Sequence, residues 1–104
     1  MDISAPSLIS RPAASAKTGD PKSTFYDKVA KGQLPSPIYV GTAARWVSLE
    51  IDKVVLFRIA GRSVDQIRKL VADMIASRAE PDYLARLRAV DPPARATRKT
   101  AAVA

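Results

Sequence analysis

The stretch KSTFYDKVAKGQLPSPIYVGTAARW, residues 22 to 46, holds Lys22, Lys28, Lys31 and Arg45 together with Tyr26, Tyr39 and Trp46. Cations at that density suggest a polyanion partner held through its phosphates, although many small basic proteins carry such charge only for solubility. Residue types that run catalysis are scarce. There is no cysteine and no histidine, which removes disulfides, thiol nucleophiles, the usual zinc sites and the commonest general base. No nucleophile–base pair or acidic metal cluster stands out, so neither an enzyme nor a metal or cofactor site is expected.

The elements that must position these residues are readable from punctuation and spacing. Residues 1–7 are small and polar and read as an arm. Pro12 suits a first helical position and Gly19 a left-handed helix end, which predicts a short helix over 11–18. Asp20-Pro21 restarts a helix, with Asp20 as its cap, that runs to Lys31 and stops at Gly32. Phe25, Val29 and Tyr26 are expected on its inner side. Two short helices about a glycine turn, the second basic, have the form of a helix-turn-helix.

Pro35 and Pro37 forbid a helix in the next segment. Ile38–Val40 and Arg45–Val47 are β-prone, and they predict a two-stranded hairpin, or wing, with a loop longer than two residues. Ser48 is expected to cap a third helix whose inner face is Ile51, Val54, Val55 and Ile59. The capping-box pattern Ser63-Val64-Asp65-Gln66 opens the most periodic segment of the chain. Pro81 ends it, and Tyr83, Leu84, Leu87 and Val90 allow one more short helix. From Pro92 onward the composition is that of a disordered basic tail. The predicted fold class is therefore mainly α with a small β-hairpin: a winged helix-turn-helix over 8–61, a helical extension over 62–91 and a tail over 92–104.

The chain has 104 residues and a net charge of +7, room for one small domain with a bias towards nucleic acid. That charge is uneven. Residues 22–62 carry seven basic and three acidic side chains, residues 63–85 three and four, and residues 86–104 five and one. A near-neutral segment thus lies between two basic ones, which suggests contact with a polyanion at both ends and with protein in the middle. No apolar run approaches the ~20 residues of a membrane span, and no signal peptide is expected. The location expected is cytoplasmic and nucleoid-associated.

Residues 8–55 resemble the AlpA-type regulators and their relatives among the excisionases of phages and integrative elements. The resemblance rests on Thr18-Gly19, Lys22-Ser23-Thr24-Phe25-Tyr26, Gly32-Gln33-Leu34-Pro35-Ser36-Pro37, Gly41, Arg45-Trp46 and Glu50-Ile51. It departs from that pattern at Asp20-Pro21, where an apolar residue and a serine are usual. It departs again at Lys28, which replaces an apolar residue and is expected to add a surface cation. The resemblance implies a MerR-like winged helix-turn-helix that binds double-stranded DNA with no cofactor.

A recognition helix presents its first residues to base edges in the major groove. That nominates Lys22, Ser23 and Thr24, with Tyr26, Asp27, Lys28 and Lys31 further along. Ser23 and Thr24 also suit local bonding at a helix start, and Tyr26 a place at the core edge. On the wing, Gly41 and Thr42 allow close approach to a backbone, and Arg45 suits a phosphate or a narrow minor groove. Trp46 is expected in the core.

Ile67, Leu70, Val71, Met74 and Ile75 share one face of the periodic helix and are expected to serve self-association on DNA as well as the core. Two uses follow: an excisionase that binds an attachment site and directs a site-specific integrase, or a promoter-binding regulator. The extra helix and basic tail favour the first. An RNA-binding protein is a more distant alternative, because the aromatics are too dispersed for a stacking sheet.

Overall fold

The computed structural model describes residues 7–92. In chain order the elements are β1 (Leu8–Ile9), α1 (Arg11–Thr18), α2 (Lys22–Ala30), β2 (Ile38–Val40), β3 (Ala43–Val47), α3 (Ser48–Ile59), α4 (Val64–Ser77) and α5 (Tyr83–Arg88). The molecule is mainly helical, with one small antiparallel sheet in the order β1-β3-β2. No described helix is long and apolar enough to cross a membrane. Residues 1–6 of the expected arm and 93–104 of the expected tail lie outside the described residues.

Local chemistry sets most boundaries. The Ser10 hydroxyl accepts from the Ala13 N–H at 3.3 Å, Pro12 sits in the first turn, and Gly19 closes α1 at φ +77° with its N–H on the Ser15 carbonyl at 2.8 Å. The α4 capping box forms as expected: Gln66 N–H donates to the Ser63 hydroxyl at 3.1 Å, and Ser63 N–H to the Gln66 side chain at 3.0 Å.

Several expectations are corrected. Leu8-Ile9, for which no element was expected, pairs with Val47 and Trp46 as a third strand. The hairpin loop is two residues long, since Val40 pairs with Ala43 and leaves only Gly41-Thr42 between the strands. Gly41 at φ +64° supplies the left-handed first position that a tight hairpin turn requires. Ser48 is not a cap: β3 runs straight into α3, so Ser48 is already helical, and its N–H donates to the Ser7 carbonyl at 2.8 Å. Asp20 makes no cap hydrogen bond to α2. Ile59 is 78% exposed; it lies about 140° round the helix from the fully buried Val54 at 3.6 residues per turn, whereas Phe57 lies about 60° from it and takes the inner position instead.

A single core gathers Ala14, Phe25, Leu34, Trp46, Ile51, Val54 and Phe57 with Ile67, Leu70, Val71, Met74, Tyr83 and Leu87. The Trp46 indole N–H donates to the Pro35 carbonyl at 2.9 Å, and the ring stands edge-on to Phe25 with centroids 5.1 Å apart. This fastens the proline-bounded segment and the sheet to α2. Elsewhere Glu50 is fully buried and held by Arg78, Nε to Oε2 at 2.8 Å and Nη2 to Oε1 at 2.6 Å. The Tyr83 hydroxyl donates to Oε2 at 2.5 Å, and Arg78 Nη2 also donates to the Ser36 carbonyl at 2.8 Å. The carboxylate beside it keeps Arg78 charged even more firmly than usual, while burial first, and then Glu50, pushes the Tyr83 hydroxyl well above its ordinary range.

Candidate nucleic-acid interface

Helix α2 divides into two faces. Phe25 is fully buried, and Thr24, Lys28 and Val29 are half-buried beside it. Lys22, Ser23, Tyr26, Asp27, Ala30 and Lys31 form the exposed face. Lys22 carries no hydrogen bond or ion pair with any described residue. Its ammonium therefore stands at the start of the helix ready for an external anion. Asp27 and Lys31 pair with each other at 3.0 Å, both side chains 56% exposed, so their charges largely offset one another.

Lys28 is corrected as a surface cation. Its ammonium bonds Asp20 at 3.0 Å on the inner side of α2, and Arg58 of α3 holds the other oxygen of Asp20 at 2.9 Å. Arg58 also donates to the Thr18 carbonyl at 3.2 Å. The carboxylate left unused as a cap thus ties the α1–α2 turn to both α2 and α3. Its partial burial would by itself raise the Asp20 pKa; hydrogen bonds from Lys28 and then Arg58 outweigh that and hold it below the ordinary value.

Tyr26 is half exposed rather than inward, with its ring 6.1 Å from Phe25 and 6.5 Å from Trp46. That contact fixes α2 against the sheet. Tyr39 pairs with Ala44, two residues from Trp46 on β3, so the strand pleat puts Tyr39 on the same sheet face as Trp46 and hence on the α2 side. Tyr26 and the Tyr39 face of the hairpin thus lie on the same side of the sheet. Gly41 and Thr42 form the exposed tip of the hairpin. Arg45 is half-buried opposite Ile38 on the outer face, its guanidinium on the Ala44 carbonyl at 2.9 Å. That bond uses one of five donors and leaves its charge unpaired with any described carboxylate.

The structure therefore leaves Lys22, Ser23, Tyr26, Gly41 and Thr42 exposed, sets Arg45 half-buried on the sheet face away from α2, turns Lys28 inward and leaves Thr24 half-covered. It also shows two residues that the sequence reading passed over. Tyr39 and Val40 flank the turn and are 66% and 55% exposed. The signal was present as an apolar pair beside Gly41, but a longer assumed loop hid that they stand at the tip.

The five self-association candidates fall apart likewise. Ile67, Leu70, Val71 and Met74 face the core, each no more than 8% exposed, and Ile75 alone is exposed. Four buried side chains cannot also serve a second protomer, because the core they share with α3 already covers them. An apolar groove of about 390 Å³ remains beside them, lined in part by Phe57, Leu70, Met74 and Leu87. Among the described residues no three Asp, Glu, His or Cys side chains converge as metal ligands would. Comparison with known protein families, with characterised proteins and with solved structures finds no match.

Proposed function

We propose that this chain is a sequence-specific double-stranded DNA-binding protein with a winged helix-turn-helix, in which α1 and α2 form the helix pair and β2–β3 the wing. The observation that carries the reading is Lys22, without a partner among the described residues at the exposed start of α2, together with a hairpin whose Arg45 charge meets no described carboxylate. Acidic groups in the first half of the chain are mostly occupied: Asp20, Asp27, Glu50 and Asp52 each pair with a cation. The exposed face of α2 and the hairpin are thus left with positive charge to offer to phosphates. In this reading Lys22 and Ser23 meet base edges, Arg45 and the tip meet the backbone, and Tyr26 gives its hydroxyl to a phosphate.

The role proposed is that of an excisionase of a mobile element, binding an attachment site and directing an integrase. It rests on the resemblance of residues 8–55 and on the basic composition beyond residue 86. One observation favours a second reading, a promoter-binding regulator. Burial of four of the five apolar candidates on α4 leaves less surface for protomers to assemble along DNA. Footprinting on genomic fragments flanking the gene separates the two. Protection at an attachment site supports the excisionase, protection at a promoter alone supports the regulator, and no protection anywhere contradicts both.

A further inference from the structure

We propose that the apolar groove along α4 and α5 is a binding site for a neutral, elongated aromatic small molecule. None of its lining residues belongs to α1, α2 or the hairpin, so it stands independently of the DNA-binding reading. The groove holds about 390 Å³, which lies within the range of small-molecule sites. Its α4 wall runs from Gln66 to Ser77, about 16 Å at 1.5 Å per residue. A dry cavity of about 150 Å³ takes up one benzene, so this groove has room for two or three rings end to end. Its far wall is tied down without a ligand. The Lys53 ammonium donates to the Arg88 and Val90 carbonyls at 2.9 and 2.8 Å, which fastens the end of α5 to α3.

The lining decides the character of the ligand. Phe57 and Tyr83 offer ring carbon and Met74 a polarizable sulfur, contacts that favour aromatic over aliphatic molecules. The Tyr83 hydroxyl already donates to Glu50 at 2.5 Å, so only its ring is offered. Charges stand at the rim and offset one another there. Lys69 pairs with Asp73 at 3.4 Å, and Arg86 pairs with Glu80 and, at 3.2 Å, with Asp82. A charged ligand gains little from such a rim and loses its hydration against the apolar wall. The Gln66 amide N–H groups and the Ser77 hydroxyl make no hydrogen bond with any described residue, and they suit an oxygen at either end of the ligand. A second copy of this chain fits less well. Helices pack about 10 Å apart, so the groove is a strip of roughly 160 Å², against about 800 Å² per partner in a stable interface.

The test is a fluorescence titration of the full chain, without DNA, with N-phenyl-1-naphthylamine, a neutral aromatic dye that brightens when it leaves water. Uptake should saturate at one dye per chain, and saturating dye should raise the melting temperature. Ser77→Phe and Val90→Phe fill the groove from the α4 and α5 sides. Each should weaken dye binding at least about tenfold and abolish the thermal shift with circular dichroism unchanged, and either one suffices if the other does not fold. Ile59→Ser removes an apolar side chain that is 78% exposed and outside the groove, so it should leave both readouts as in wild type. Dye uptake that survives both filling variants, or that Ile59→Ser lowers equally, overturns the site. Tighter binding of the anionic dye 8-anilinonaphthalene-1-sulfonate, lost in the filling variants, overturns the neutral class of ligand. No uptake by a chain that sediments as a monomer overturns the proposal. No uptake by a dimer that the filling variants dissociate overturns it too, and gives the groove to a second copy.

Discussion

Asp20 shows how one side chain can be legible in type and illegible in partner. Asp before Pro at a helix start reads as a cap, yet its two oxygens go to Lys28 and Arg58. The competing partners are cations eight and thirty-eight residues away, and a charged hydrogen bond outweighs a neutral one. Asp20→Asn keeps the shape, removes the charge and should cost about 1.5–3 kcal/mol at neutral pH. The folded chain holds this carboxyl below its ordinary 3.8. Its stabilisation is therefore complete above the ordinary value and fades as pH falls through the lower, folded one. Urea melts of wild type and variant across an acid series should converge at the acid end. A gap that keeps its neutral-pH size throughout contradicts the pairing.

Helices α1 to α5 and the hairpin were all legible, because glycine, proline and the Ser63–Gln66 box punctuate strongly and apolar spacing does the rest. Strand β1 was not, since two residues have no period, and only pairing with Val47 and Trp46 makes Leu8-Ile9 a strand. Nor was the Glu50–Arg78–Tyr83 cluster, whose members are 28 and 33 residues apart. At the level of elements that cluster joins α3, α5 and the segment after α4. Arg78→Met leaves a buried carboxylate without its counter-charge and should cost about 3–5 kcal/mol. Glu50→Leu together with Arg78→Met should lie closer to wild type than Arg78→Met alone, by thermal or chemical melting. Equal losses in the single and double variants contradict a charge-pair origin. We propose that assembly on DNA uses Ile75 rather than the buried face of α4. Sedimentation with long DNA should show cooperative loading that Ile75→Asp removes. Non-cooperative loading by wild type removes α4 from any role in assembly.

For the whole molecule, most of the described cations are already engaged within the fold, so their surplus charge becomes a surface only where partners are lacking. We propose that this surface is α2 plus the hairpin. The direct measurement is a titration of labelled duplex DNA at several salt concentrations with wild type, Lys22→Ala, Arg45→Ala and Lys69→Ala. Lys69 is a suitable comparison because it is 79% exposed on α4, beside Asp73, and removes the same charge as Lys22. Arg45→Ala should weaken binding and reduce the slope of log affinity against log salt by about 1, the signature of one lost phosphate contact, while Lys22→Ala should weaken binding by about 1–3 kcal/mol, the cost of a lost base contact. Lys69→Ala should leave affinity and slope close to wild type. An equal loss from all three variants, or affinity that does not depend on salt, contradicts the claim that α2 and the hairpin together form the DNA-binding surface.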